Sequence, residues 1–435
     1  MSHKGNNPLA SIDPDEIVSA YDALGLEAWS DFDLFRAAAE VISEPSNKFS
    51  SFLLNAPLEL LARFCLLSLV APEDRRLARI QMVATAVVYA HAGPGVNCPP
   101  PDETNLGSPV DTIEELRAAI HASDVERSDQ LFTILATYVE PRRVIESIAH
   151  ASLQTLTGAA HTHLGLMYLS RMPAIAPPEA LKMARSGVRF LAAKPDLNLK
   201  PTNGPGRLDD LAHALATVPH LSKPASSVQE IIQATEDAGT LDDVLGSGVT
   251  RSVNDWQELT RTSCRIAALS MIADSVDAAM YGWTHCLTLP QAAWALGRIL
   301  TTKAFQAQVV QSAVTWVAAF RAAHGNGALN THVDLQPSDL DISEALYDSP
   351  EAAAAVAYHT APSARQQLVG IIATEAAVRT EAHLIKFTRA CLDLARMDPE
   401  EARLYHAAAA YLCALWCDKE ARSNIESALA TRPGS

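Results

Sequence analysis

The sequence predicts an all-α protein, a large multi-helix array with long buried helices and Pro/Gly-rich loops. Three observations carry that expectation. Nearly every segment repeats its apolar residues at the helical period, and strand-like alternation is hard to find. The segments are separated by clusters of Pro and Gly, which stop helices. No fixed repeat of the solenoid kinds runs through the chain, so the helices are expected to share a core.

Composition sets the outer limits. The chain has 435 residues, more than one core usually organises, so two subdomains and one large array are both open. It is treated as a single helical domain over 1–435 with a soft boundary near 94–109. Hydrophobic residues are 48% and charged residues 19% of the chain, with a mean hydropathy of +0.05; this is ample material for a buried interior. A net charge of −16 repels phosphate backbones, and with no basic cluster a nucleic-acid partner is excluded. The first residues, MSHKGNNPLASIDPDE, lack the apolar segment of a signal peptide. An odd number of cysteines, seven, mostly in apolar helical stretches, then implies reduced thiols and a cytoplasmic protein. Cys413 and Cys417 lack the second ligand pair of a zinc finger. The longest apolar stretch, Phe52 to Val70, is interrupted by Asn55, Pro57, Glu59 and Arg63, so it reads as a buried helix and no membrane span is expected.

Taken in order, Asp13-Pro14 caps a helix over Glu16–Leu24, and Ser30 or Asp31 opens one to Ile42. Pro57 suits the first turn of a helix running to Val70, on which Glu59 and Arg63 form an i,i+4 pair of a few tenths of a kcal/mol. Glu73–His91 follows, closed by Gly93-Pro94. The Pro-rich stretch from Pro94 to Pro109 is a loop. Short helices are expected at Thr112–Ser123 and Ser128–Tyr138, and a long one from Pro141 to about Arg171. Between Pro173 and Pro224 the helices are short, and Lys194–Gly206 has the composition of an exposed loop or lid. A helix from Asn254 to Cys286 follows the Gly246-Ser247-Gly248 break, and Pro290 restarts one to Ala323. Ala328–Ser349 is polar and irregular with one short helix. Ala361–Arg396 and Pro399–Ala430 close the fold as two long helices.

The stretch Thr374–Arg396 has neither Gly nor Pro and predicts one uninterrupted helix. His383 and Lys386 are three apart on it, with Cβ atoms about 5–6 Å from one another. Lys386 sits among Leu384, Ile385, Phe387 and Ala390, where burial favours the neutral amine. A neutral amine reacts with carbon dioxide to give a carbamate, a carboxylate on a long arm. Paired with His383 it would mimic the inward Glu-x-x-His units of helical metal sites. The competing reading is a lysine that snorkels to water and a core histidine. Of 14 histidines, those on long apolar helices are His150, His161, His163, His285 and His383, with His91 and His406 less central. A mononuclear site would draw one from each of several helices: one within 140–171, one near 277–289 and one within 374–396. An iron site with open positions wants two or three imidazoles and a carboxylate. No His-Glu-x-x-His motif, dinucleotide fingerprint, phosphate loop or nucleophile elbow occurs.

Three short motifs carry a family resemblance. Ala382, His383 and Lys386 match Ala-His-x-x-Lys; AHTHLGLMYLSR (Ala160 to Arg171) matches a helix with a His and a Tyr seven residues later; WTHCLT (Trp283 to Thr288) matches a His-x-(Val/Leu)-Thr element. On these the chain resembles the questin-oxidase-like family, which includes anthraquinone ring-cleaving, non-haem iron dioxygenases with a carboxylated-lysine ligand. The resemblance implies Fe(II) held by His161, His285, His383 and Lys386, with Tyr168 as a companion. Where the family has an N-terminal histidine this chain has Asn55, with His91 and His163 as substitutes. The implied activity is oxidation or cleavage of a carbon–carbon bond next to a carbonyl in a polycyclic aromatic or quinone polyketide. The partners would be a small aromatic substrate and dioxygen; the oligomeric state is open, a dimer being one option. Arg379, read as one turn before His383, would pair with an anionic oxygen, and Trp283, Tyr281 and Met280 would line an aromatic pocket. Lys386, Arg379 and Tyr168 are then the catalytic candidates, and Asn55, Trp283 and Arg379 the substrate-binding ones. The alternatives are a metal-free, NADPH-dependent Baeyer–Villiger-type oxidase and a non-catalytic helical binding protein.

Overall fold

Capping side chains close several helices where the sequence expects them. Ser30 accepts from the Asp33 N–H at 3.1 Å and opens α2 (Asp31–Ile42). Asp13 accepts from the Asp15 N–H at 3.0 Å ahead of α1 (Ile17–Ala23). The computed structural model describes residues 7–45, 51–93, 95–96, 107–154, 161, 165–167, 181–193, 199, 206–222, 225, 227–246, 255–274, 276–300 and 302–419. The described residues are overwhelmingly helical and contain no strand beyond an isolated bridge at Gly95, so the fold is all-α. None of the described helices is long and apolar enough to cross a membrane. The chain divides into two units, one of residues 1–197, 377–385 and 420–435, the other of 198–376 and 386–419.

In the first unit, α1, α2 and α3 (Ser51–Leu66) pack on α4 (Arg75–His91). Their common core includes Phe35, Leu60, Ile80 and Val83, all fully buried. A second group joins α5 (Pro109–His121), α6 (Val125–Tyr138), α7 (Pro141–Gln154) and α8 (Arg185–Ala193). The buried Asp129 ties these together, taking Arg185 at 2.8 and 3.0 Å and Arg189 at 3.1 Å. Pro57 does not start α3. The helix begins at Ser51 and carries Pro57 inside it, because the apolar face already running through Leu53 and Ala56 is buried and that burial outweighs one missing donor.

The second unit runs through α9 (Leu211–Ala216), α10 (Val228–Asp237), α11 (Thr240–Val244), α12 (Trp256–Ala273), α13 (Thr284–Gly297), α14 (Lys303–His324), α15 (Ile342–Asp348) and α16 (Pro350–His359). Helices α12, α13 and α14 pack mutually. The Ser227–Glu230 capping box starts α10, a helix the period-based reading passes over although its Ser-x-x-Glu signal is present. The expected helix from Asn254 to Cys286 stops instead at Ala273. Asp274 ends it: its buried carboxylate accepts from the Arg321 guanidinium and from the Asn326 N–H at 2.9 Å. The chain then passes through a 3-10 turn, Val276–Ala278, and a π-helical turn, Ala279–Trp283, into α13. Pro290 lies inside α13 and does not restart a helix.

Packing at the end of α13 leaves no room for a side chain. A Cβ on Gly297 would come 2.6 Å from Trp256 Cζ3 and 3.2 Å from Val309 Cγ2. Gly297→Val is expected to cost ~1–3 kcal/mol by overpacking, read as a lower urea midpoint with an unchanged m-value. The described cysteines are free thiols, five of the six buried. Burial pushes the Cys264, Cys286 and Cys391 thiols up and keeps them protonated.

Candidate functional site

The expected single helix over Thr374–Arg396 is two helices. One, α17, covers Arg365–Val378 and the next, α18, covers Ala382–Met397. The intervening carbonyls are held by side chains from α3 and α4. Arg63 donates from Nη1 to Ala377 O and from Nη2 to Arg379 O, each at 2.8 Å, and Gln81 donates to Val378 O at 2.7 Å. A cation and an amide thus satisfy the carbonyls a helix C-terminus leaves open, and the positive charge suits the helix dipole. Arg63 is fixed in turn by Glu59, whose Oε1 accepts from Arg63 Nε at 2.8 Å and from Thr85 Oγ1 at 3.1 Å. The Glu59–Arg63 pair is 0% and 1% exposed, so it is a buried clamp and not the local surface pair that its spacing suggests.

This break places the motif residues. Arg379 is fully buried in the turn, not one helical turn before His383 on a shared face, because the helix does not run through it. Glu381 precedes α18, and its Oε1 accepts from the His383 N–H at 2.9 Å and meets His383 Nδ1 at 2.6 Å. A carboxylate acceptor at Nδ1 puts the proton there and leaves the lone pair of the neutral ring on Nε2. The same carboxylate–imidazole pairing orients histidines that ligate metals. Lys386 stays three residues beyond His383 on α18 and is 3% exposed. It does not snorkel to water.

A second pair forms in the first unit. Asn55 on α3 and His161 are 3% and 7% exposed, and Asn55 Oδ1 lies 2.8 Å from His161 Nε2. The amide oxygen accepts, so Nε2 carries the proton and the neutral ring has its lone pair at Nδ1. His161 also lines an apolar cavity with Leu54, Leu58, Leu61 and Met183. Its free space is about 20 Å³, room for one water and far below a small-molecule site. As it stands it does not admit a polycyclic ring.

The remaining candidates lie in the second unit or outside the described residues. His285 is the second residue of α13 and is half-buried. Its Nδ1 meets the carbonyl of Tyr281 and its own carbonyl accepts from Trp316 Nε1 at 2.8 Å. As at His383, an acceptor at Nδ1 assigns the lone pair to Nε2. Trp283 is fully buried with its ring edge-on to His324 at 5.9 Å. Tyr281, expected beside it in a pocket, is 56% exposed. His91 bonds the Val87 carbonyl of its own helix at 2.9 Å. Tyr168 and His163 lie outside the described residues, as does most of the Lys194–Gly206 stretch. Among the described residues, no group of three or more His, Cys, Asp or Glu side chains is arranged to hold a metal ion.

The sequence reading missed Glu381, Arg63 and Gln81. Glu381 was visible as an acid just ahead of the histidine. Arg63 and Gln81 are more than 290 residues away in sequence from the carbonyls they hold, and no local signal marks such a contact. Comparison with protein-family models, curated proteins and solved structures returns no match.

Proposed function

We propose that this chain is a non-haem iron-dependent oxygenase that oxidises or cleaves a carbon–carbon bond next to a carbonyl in a polycyclic aromatic or quinone substrate. The observation that carries the reading is on α18: His383 is oriented by a carboxylate at Nδ1, and three residues on is a buried lysine. Those two suit a metal site by residue type and spacing, since an imidazole with a carboxylate at Nδ1 ligates through Nε2 and a carbamate on Lys386 would be a carboxylate three residues away. His285 fits by the same tautomer argument. His161 fits through Nδ1 only, unless Asn55 gives up its bond to Nε2. His383 and Lys386, three apart on one helix, are the residues that would hold Fe(II), which when bound would supply the electrons that activate dioxygen. The chain's own part is to keep Lys386 dry, to hold the proton on His383 Nδ1 and to exclude water from the reacting centre. Arg379, fully buried in the turn ahead of α18, acts on this reading by shaping the surroundings of His383.

Anaerobic reconstitution with Fe(II) followed by elemental analysis tests the proposal. Stoichiometric iron is expected in the wild type and a trace at most in His383→Ala and Lys386→Ala. Isotope-labelled bicarbonate should give a carbamate signal that Lys386→Ala abolishes. The Asn55–His161 bond favours a second reading, a helical binding protein in which that position no longer ligates. A wild type that takes up no iron, with or without bicarbonate, would establish that reading or the metal-free NADPH-dependent oxidase. Oxidation of NADPH on adding a quinone separates those two.

A further inference from the structure

We infer that Arg63 and Gln81 are positioning residues for His383, acting through the break between Val378 and Ala382. In an uninterrupted helix the N–H groups of Glu381, Ala382 and His383 would bond the carbonyls of Ala377, Val378 and Arg379. Those are the three carbonyls that Arg63 and Gln81 take, at 2.7–2.8 Å. Local propensity favours the uninterrupted form, since Thr374–Arg396 contains no Gly or Pro. The buried side chains win because they offer a guanidinium and an amide that have no water to turn to, and an unpaired buried donor is costly.

The competition has a consequence for the ring. With the helix broken between Val378 and Ala382, the His383 N–H goes to Glu381 Oε1 at 2.9 Å. The same oxygen then reaches His383 Nδ1 at 2.6 Å. In an uninterrupted helix, residues two apart point to different faces, and Glu381 would not meet that ring. Glu59 and Thr85 hold Arg63 in place and so belong to the same device. Of the readouts below, only metal affinity rests on the iron-oxygenase reading; the structural one stands without it.

Two variants test the inference. Gln81→Met removes one neutral donor at similar size. Glu59→Gln/Arg63→Met removes the other two bonds together with both charges of the Glu59–Arg63 pair, and Gln81→Met covers the case in which the double variant does not fold. With selectively labelled histidine, the His383 Nδ1 hydrogen bond is followed by the ring nitrogen signals, and Co(II) affinity is measured alongside. The expected result is loss of the Nδ1 hydrogen-bond signature, slower amide exchange at Ala382 and His383, and Co(II) binding about tenfold weaker. Ring signals and exchange identical to wild type in a folded Gln81→Met would overturn the inference. Altered ring signals in a protein that binds no Co(II) in any form would sink the iron reading and leave the positioning role standing.

Discussion

Arg63→Met is expected to lower stability by ~3–5 kcal/mol, the cost of removing one partner from a buried ion pair. Glu59 is 0% exposed, and in the variant it would keep Thr85 Oγ1 at 3.1 Å as a donor but lose the Arg63 guanidinium. The carbonyls of Ala377 and Arg379 would lose the guanidinium bonds as well. Adding Glu59→Gln should recover part of the loss, because the buried charge is then gone. Urea unfolding followed by circular dichroism and by tryptophan fluorescence measures both. A loss below ~1 kcal/mol in the single variant would mean that water reaches the pair and that the clamp is not closed.

Acid should destabilise the protein through His406. This residue on α19 (Ala402–Lys419) is 6% exposed, and its Nδ1 has no partner among the described residues. Burial first, and the nearby Arg365 guanidinium second, push its pKa down from 6.5 to about 4. The folded protein therefore holds this ring neutral where the unfolded chain protonates it. Between pH 6.5 and 4 the unfolded state binds the extra proton, so stability is full above 6.5 and falls as pH drops towards 4. The gap corresponds to ~3 kcal/mol. His406→Gln should remove that part of the pH dependence, leaving a shallower stability profile over the same range. Parallel profiles for the variant and the wild type would show that His406 is solvated when charged.

The fold class was legible because burying one face of a helix imposes a period on the sequence itself. Helix starts such as Asp31 after Ser30 were legible for a similar reason, since a cap is made by residues three apart. Long-range contacts overrode the local signals elsewhere. Pro57 lies within a helix because buried neighbours on both sides hold it there. The helix after Trp256 stops at Ala273 because Arg321 claims Asp274.

At the candidate site the sequence by itself determined that His383 and Lys386 share a helix face and that Lys386 sits in an apolar setting. Only the tertiary structure decided that Asn55 faces His161, that Arg379 is in a turn, and that a carboxylate holds the His383 ring. The reason is one of range. Periodicity and propensity report interactions within a few residues along the chain, whereas the ending of α17 depends on donors from α3 and α4, which only folding brings to the carbonyls of Ala377, Val378 and Arg379.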